Sequence, residues 1–256
     1  MASMPLLPQD SKVPHSALEN ATVAARNRRA TPVLHDAVTL TFKGILHVLC
    51  QIEAKDLKRV PTQGPLLIVT NHINFLEVPL LYTHLQPRPV TGFAKSETWD
   101  TWMGRTLMNL WGIIPLRRGE ADLHAMRQAL ATLEAGMMLG VTPEGTRSGD
   151  GKLRRAHPGI AWLAMQSRAP MLPIAHYGGE VFWDNLRRLR RTKFHAVVGE
   201  PFTLADTGRM DREQRQAVAD AIMAEVARLL PPAYQGAYAD YPALASSAPD
   251  PLLKRL

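Results

Sequence analysis

Leu66-Leu67-Ile68-Val69-Thr70-Asn71-His72-Ile73-Asn74-Phe75-Leu76-Glu77-Val78-Pro79 joins an apolar run to a polar one, and that order decides how the chain folds. The turn pair Gly64-Pro65 precedes it, and Leu66 to Val69 then reads as a strand buried on both faces. His72 follows the strand end and stands five residues before Glu77, a spacing that on a regular helix turns the second side chain about 140° from the first. The two can therefore meet only if His72 sits in a loop and Glu77 in the first turn of the next helix, its carboxylate folding back to the ring. An imidazole held in that way can take a proton from a hydroxyl. The same residues also fit a histidine that is merely satisfied at a strand end, so other stretches must decide.

Outward from this segment, strands and helices alternate. Residues Leu76 to Leu85 predict a helix, Val90 to Ala94 a strand, Trp99 to Leu110 a helix and Ile113 to Leu116 a short strand. Leu123, Met126, Leu130 and Leu133 recur at helical spacing within Ala121 to Ala135, which Gly136 closes. Met137 to Val141, Met171 to Ala175 and Phe194 to Val198 read as strands, with helices from Pro158 to about Ser167 and from Asp211 to Leu230. This series implies one α/β domain over residues 34–230, its central sheet mostly parallel or mixed and flanked by helices. Leu34 to Ile52 reads as an amphipathic helix packed on that domain, with Cys50 a small apolar residue on its face. Residues 1–33 read as a flexible basic tail and 231–256 as a loose Pro/Ala-rich one.

Composition bounds the partners. The chain has 256 residues, 46% of them hydrophobic, and a formal net charge of +7 with pI near 9.8, which attracts anionic surfaces or ligands. A single cysteine excludes an intrachain disulfide framework. Nine scattered histidines without a His-Glu-x-x-His stretch disfavour a metal centre. No recognition helix, zinc-ligand spacing or aromatic RNA-binding signature supports a nucleic-acid partner. No window is long and apolar enough to span a bilayer, and the first residues lack the form of a secretory signal, so we expect a peripheral protein on the cytoplasmic side of a membrane.

Two further stretches carry phosphate-binding chemistry. Gly112-Ile113-Ile114-Pro115-Leu116-Arg117-Arg118 brings guanidinium groups to a strand end, and Pro143-Glu144-Gly145-Thr146-Arg147-Ser148 joins a permissive glycine to a hydroxyl and a guanidinium. Together with Asn71-His72…Glu77 and Ala169-Pro170-Met171-Leu172-Pro173-Ile174, these blocks resemble, in order and spacing, the glycerolipid acyltransferases, which include the 1-acylglycerol-3-phosphate acyltransferases and other lysophospholipid acyltransferases. The resemblance spans roughly residues 61–201. Where that family has Asp, this chain has Glu77, longer by one carbon–carbon bond of ~1.5 Å.

The resemblance implies a glycerol-3-phosphate acyltransferase-like fold and a transfer of a fatty acyl group from acyl-CoA or acyl carrier protein, as cosubstrate rather than cofactor, to a lysophospholipid, most simply 1-acylglycerol-3-phosphate. His72 would be the general base and Glu77 its orienter, with the substrate hydroxyl in the place of a catalytic serine. Arg118, Thr146 and Arg147 would hold the acceptor phosphate, Glu144 and Gly145 shaping that loop, with Asn71 and Lys95 as further candidates. Pro170 and Pro173 would shape the acyl side. The basic run Arg187 to Lys193 would meet an anionic membrane surface or the phosphates of the donor. The alternatives are another lipid acceptor, such as an amino-acid lipid, or a weakly active lipid-binding relative.

Overall fold

The computed structural model describes residues 32–117, 119, 122–206, 208, 210–245 and 250–256. The expected basic tail and Arg118 lie outside them, apart from residues 32 and 33. In chain order the elements are α1 (Pro32–Leu49), β1 (Cys50–Glu53), β2 (Leu66–Thr70), α2 (Glu77–His84), β3 (Val90–Lys95), α3 (Trp102–Leu110), β4 (Ile114–Leu116), α4 (Leu123–Glu134), β5 (Met138–Val141), α5 (Gly159–Ser167), β6 (Met171–Tyr177), α6 (Phe182–Arg187), β7 (Thr192–Val198), β8 (Phe202–Leu204), α7 (Arg212–Ala227) and β9 (Leu253–Arg255).

The sheet runs β1-β7-β6-β2-β5-β3-β4, with β8 beside β6 and β9 beside β8. β2 pairs in parallel with both β5 and β6, β3 with β5 and β4, and β1 with β7, whereas β7 and β8 run antiparallel to β6. The sheet is thus mixed. Every residue of β2 is buried, as its unbroken apolar run requires of a central strand covered on both faces. Alternation along the strand splits the core in two. Leu66 and Ile68 face α1, α2 and α3, while Leu67 and Val69 face α4, α5 and α7. Asp211 and Gln214 form a reciprocal capping box at the start of α7, which fixes where this helix begins beneath β2 and β6.

Two expectations are corrected. The first helix ends at Leu49, and Cys50 opens β1 rather than lying on a helix face; no Gly or Pro interrupts the apolar period there to mark the change. α1 packs with His35, Thr39 and Leu46 buried and Phe42 and Leu49 against the core, while Leu34 and Ile45 point outward. The C-terminal segment is not loose. Tyr238 is buried, its hydroxyl donating to Asp220 Oδ1 (2.9 Å) and accepting from the Ala156 N–H (2.9 Å), and β9 adds a strand beside β8. Among the described residues no helix is long and apolar enough to cross a membrane.

Candidate active site

In the parallel part of the sheet, the polar stretches gather at the carboxyl ends of the strands, the place where open α/β sheets bind ligands. β2 ends at Thr70 and delivers Asn71, whose side chain clasps the neighbouring strand: Oδ1 accepts the His176 N–H (2.7 Å) and Nδ2 donates to the His176 carbonyl (2.8 Å). Asn71 therefore anchors the loop to β6, in a structural part.

His72 lies in the loop and Glu77 opens α2, with His72 Nδ1 3.3 Å from Glu77 Oε2. The extra methylene of glutamate is taken up by the loop itself. Glu77 Oε1 accepts the backbone N–H groups of Ile73 and Asn74, both at 3.1 Å, so one carboxylate orients the imidazole and caps the turn. Burial drives the Glu77 carboxyl upward, but the hydrogen bond and charge of His72, with smaller help from His176, outweigh it and hold Glu77 below the usual carboxylate value. An ionised Glu77 favours the tautomer with the proton on Nδ1, in which Nε2 carries a lone pair able to accept a proton.

Glu144 braces this loop from the other side. Its Oε1 accepts the His72 N–H (2.7 Å) and its Oε2 the Arg154 N–H (2.8 Å). Both oxygens are engaged and the residue is buried, so Glu144 shapes the site and does not itself meet a phosphate. Desolvation pushes its pKa up to about 7, against the lowering effect of the two N–H donors. The loop that follows docks on the same segment, Ser148 N–H donating to the His72 carbonyl (2.7 Å) and Gly149 N–H to that of Ile73 (3.0 Å). Thr146 and Arg147 are consequently held beside His72, exposed and without a polar partner among the described residues. Gly145 takes φ +66°, and a Cβ there would stand 2.7 Å from the His157 ring. Lys95 ends β3, two strands from β2, exposed and apart from this group.

Sequence reasoning missed two features. His176 is wholly buried behind the His72 loop, stacked on Phe194 with 5.6 Å between centroids, and neither ring nitrogen makes a well-formed hydrogen bond among the described residues. Burial depresses its pKa to about 4, so it stays neutral. The second is a cavity of about 600 Å³ between the β3–β5 strand ends and the start of α5, lined by Phe93, Leu116, Met126, Ile160, Trp162 and Leu163, with Arg117 and His157 at polar positions. It shares Thr142, Pro143 and Gly145 with the loop that braces His72. Such a volume suits a small-molecule site of roughly 300–1,000 Å³, but no motif marks it, because its walls come from five separate elements. Pro170 and Pro173 do not line it. Among the described residues no group of three His, Cys, Asp or Glu could hold a metal ion.

A loop histidine, a buried carboxylate beside it and an adjoining apolar cavity thus stand together at the strand ends. Residues 51–177 match the family model described as Acyltransferase, and through this segment the chain belongs to that family. It is 31% identical over 126 residues to the 1-acyl-sn-glycerol-3-phosphate acyltransferase of Limnanthes alba, covering 48% of this chain and 44% of that protein. A second relative, the lyso-ornithine lipid O-acyltransferase of Pseudomonas aeruginosa, is 30% identical over 112 residues, covering 43% and 42%. The chain thus spans less than half the length of either. Its fold is similar to the crystal structure of the 1-acyl-sn-glycerophosphate acyltransferase PlsC from Thermotoga maritima, with a TM-score of 0.54, 19% identity, and coverage of 82% of this chain and 95% of that one.

Proposed function

We propose that the protein transfers a fatty acyl group from an acyl thioester, acyl-CoA or acyl carrier protein, to the free hydroxyl of a lysophospholipid, most simply 1-acylglycerol-3-phosphate to give phosphatidic acid. The observation that carries this reading is the His72–Glu77 pair, braced by Glu144 and adjoined by an apolar cavity. His72 Nε2 takes the hydroxyl proton while the oxygen attacks the thioester carbonyl. The tetrahedral intermediate then collapses, the carbon–sulfur bond breaks, and the proton passes from the imidazolium to the departing thiolate. Glu77 stabilises the imidazolium between these events. The cavity receives the acyl chain, whose burial contributes about 0.8 kcal/mol per methylene. Arg147 and Thr146, with Arg118 of the Gly112–Arg118 block, bind the acceptor phosphate.

The protein works from a membrane surface. On α1, Val33, Leu34, Leu40, Ile45 and Val48 are all exposed and fall on one stripe of the helix. No charged residue interrupts that stripe, and an apolar outer face of this kind suits the boundary between headgroups and acyl chains.

A panel crossing acyl-CoA and acyl carrier protein donors with several acceptors tests the function. Turnover should be greatest with phosphate-bearing lysolipids and absent in His72→Ala. Turnover restricted to acceptors without phosphate would instead support the amino-acid lipid reading, which the likeness to the lyso-ornithine lipid enzyme favours.

A further inference from the structure

The turn between α6 and β7 carries a leucine where a helix end favours glycine. α6 closes in a Schellman arrangement, Arg190 N–H donating to the Asn185 carbonyl (2.8 Å) and Leu189 N–H to that of Leu186 (3.0 Å). Leu189 takes the left-handed conformation this requires, with φ +52°. A residue with a Cβ is strained there, and Leu189 recovers nothing by packing, since it is 94% exposed.

Its surroundings are basic and aromatic. Arg187, Arg188, Arg190 and Lys193 are exposed. Arg187 is paired with Asp184 (3.2 Å), whereas Arg188 and Arg190 have no ion-pair partner among the described residues. Arg191 fastens the turn to the end of α1 by donating to the His47 (2.6 Å) and Cys50 (2.7 Å) carbonyls, next to the outward-facing Val48. At the other end of α6, Trp183 is 54% exposed and its ring lies 5.5 Å from that of Phe75, which also meets Phe182 edge-on. Phe75 belongs to the loop between His72 and Glu77, and Asn74 of the same loop donates to the Gly179 carbonyl (2.7 Å). A solvated basic face would account for the arginines, but not for an exposed leucine and tryptophan among them.

We infer that the α6–β7 turn is a second membrane-docking surface, resting on the acyl-transfer reading above, in which Leu189 and Trp183 enter the interfacial layer of an anionic bilayer and Arg188 and Arg190 meet lipid phosphates. Tryptophan suits that layer because its ring is apolar and its N–H polar. The arginines supply the attraction to anionic lipid. Through Phe75 and Asn74 the docked turn also sets the loop that carries His72, so the membrane-borne acceptor meets a loop already oriented toward it. The surface continues the apolar stripe of α1 across the Arg191 fastening.

The test uses the full chain and vesicles of phosphatidylcholine with and without phosphatidylglycerol, with partition measured by sedimentation in the absence of substrate. Leu189→Gly removes the side chain while suiting the left-handed backbone, so its thermal midpoint should equal or exceed the parent's. Its partition to anionic vesicles should fall roughly tenfold, the loss expected for one leucine no longer buried. Turnover should fall on vesicle-borne acceptor and persist on a short-chain acceptor kept monomeric. Arg188→Ser with Arg190→Ser should abolish the preference for phosphatidylglycerol. Unchanged partition of Leu189→Gly overturns the inference. So does a double-arginine variant that still partitions like the parent but no longer binds acidic acyl carrier protein, since the turn would then serve the donor. Failure of the acyl-transfer reading shows separately, as a parent that partitions normally yet turns over no donor–acceptor pair.

Discussion

Glu77 reaches His72 and the backbone of its own loop with a single carboxylate: Oε2 lies 3.3 Å from His72 Nδ1 while Oε1 holds the Ile73 and Asn74 N–H groups. Aspartate at this position, shorter by ~1.5 Å, has to give up one set of contacts or shift the loop. Glu77→Asp should therefore lower kcat about a hundredfold, the scale of a small misplacement at the reacting group. Glu77→Gln keeps the length but loses the charge and the preference for the productive tautomer, and should lower kcat by ~10⁴-fold. Steady-state kinetics with saturating donor distinguishes the two; a Glu77→Asp enzyme as active as the parent would show that the length of this side chain is not part of the site.

The two buried carboxylates should impose opposite pH dependences on stability. Glu77 has a folded pKa below its unfolded value near 4.5, so the stability it contributes is present above that value and is lost as pH falls through the lowered one. Glu144 has a folded pKa of about 7, raised from 4.5. Its carboxyl therefore weakens the fold progressively as pH rises from about 4.5 to 7, by about 3 kcal/mol in all. Glu144→Gln removes this part of the profile. Denaturant unfolding from pH 4 to pH 8 should show the parent losing stability relative to Glu144→Gln across that window; parallel profiles would mean that Glu144 ionises normally.

The site was legible in the sequence where one short stretch supplies all its parts. The apolar run of β2, the loop position of His72 and the return of Glu77 follow from spacing alone, because strand, loop and first helical turn are contiguous. The brace on His72 was only half legible: Glu144 is conspicuous in Glu144-Gly145-Thr146-Arg147, but its partners are the backbone N–H groups of His72 and Arg154, which leave no mark on side-chain identity. His176 and the cavity were hidden, since a histidine within a strand and apolar residues on α4 and α5 look the same whether they fill a core or line a space. β1, β8 and β9 are three or four residues long at the sheet margin, too short for an alternation to declare itself.

Met126 lines the cavity from α4 without being fully buried. Met126→Trp should fill part of that space without opening a void elsewhere in the core. If the acyl chain lies there, donors of long chain should lose about fourfold in kcat/KM for each methylene left outside, from ~0.8 kcal/mol apiece. Short-chain donors should be unaffected. Comparing kcat/KM across a chain-length series checks this; an equal loss for every donor would place the chain elsewhere.

Gly145 joins the brace to the cavity, and its replacement separates two physical costs. Its φ of +66° disfavours any Cβ, and the Cβ would also press within 2.7 Å of the His157 ring. The first cost is about 1–2 kcal/mol and belongs to the backbone; the second belongs to a neighbour that can be removed. Gly145→Ala should thus destabilise the protein by more than the backbone cost alone, and should lower turnover because Glu144 precedes it in the same turn. Adding His157→Ala should recover the steric part and leave the conformational one, giving a coupling of opposite sign to the single losses. Denaturant midpoints of the parent, both single variants and the double variant measure that coupling, and strict additivity would show that the His157 ring moves aside without cost.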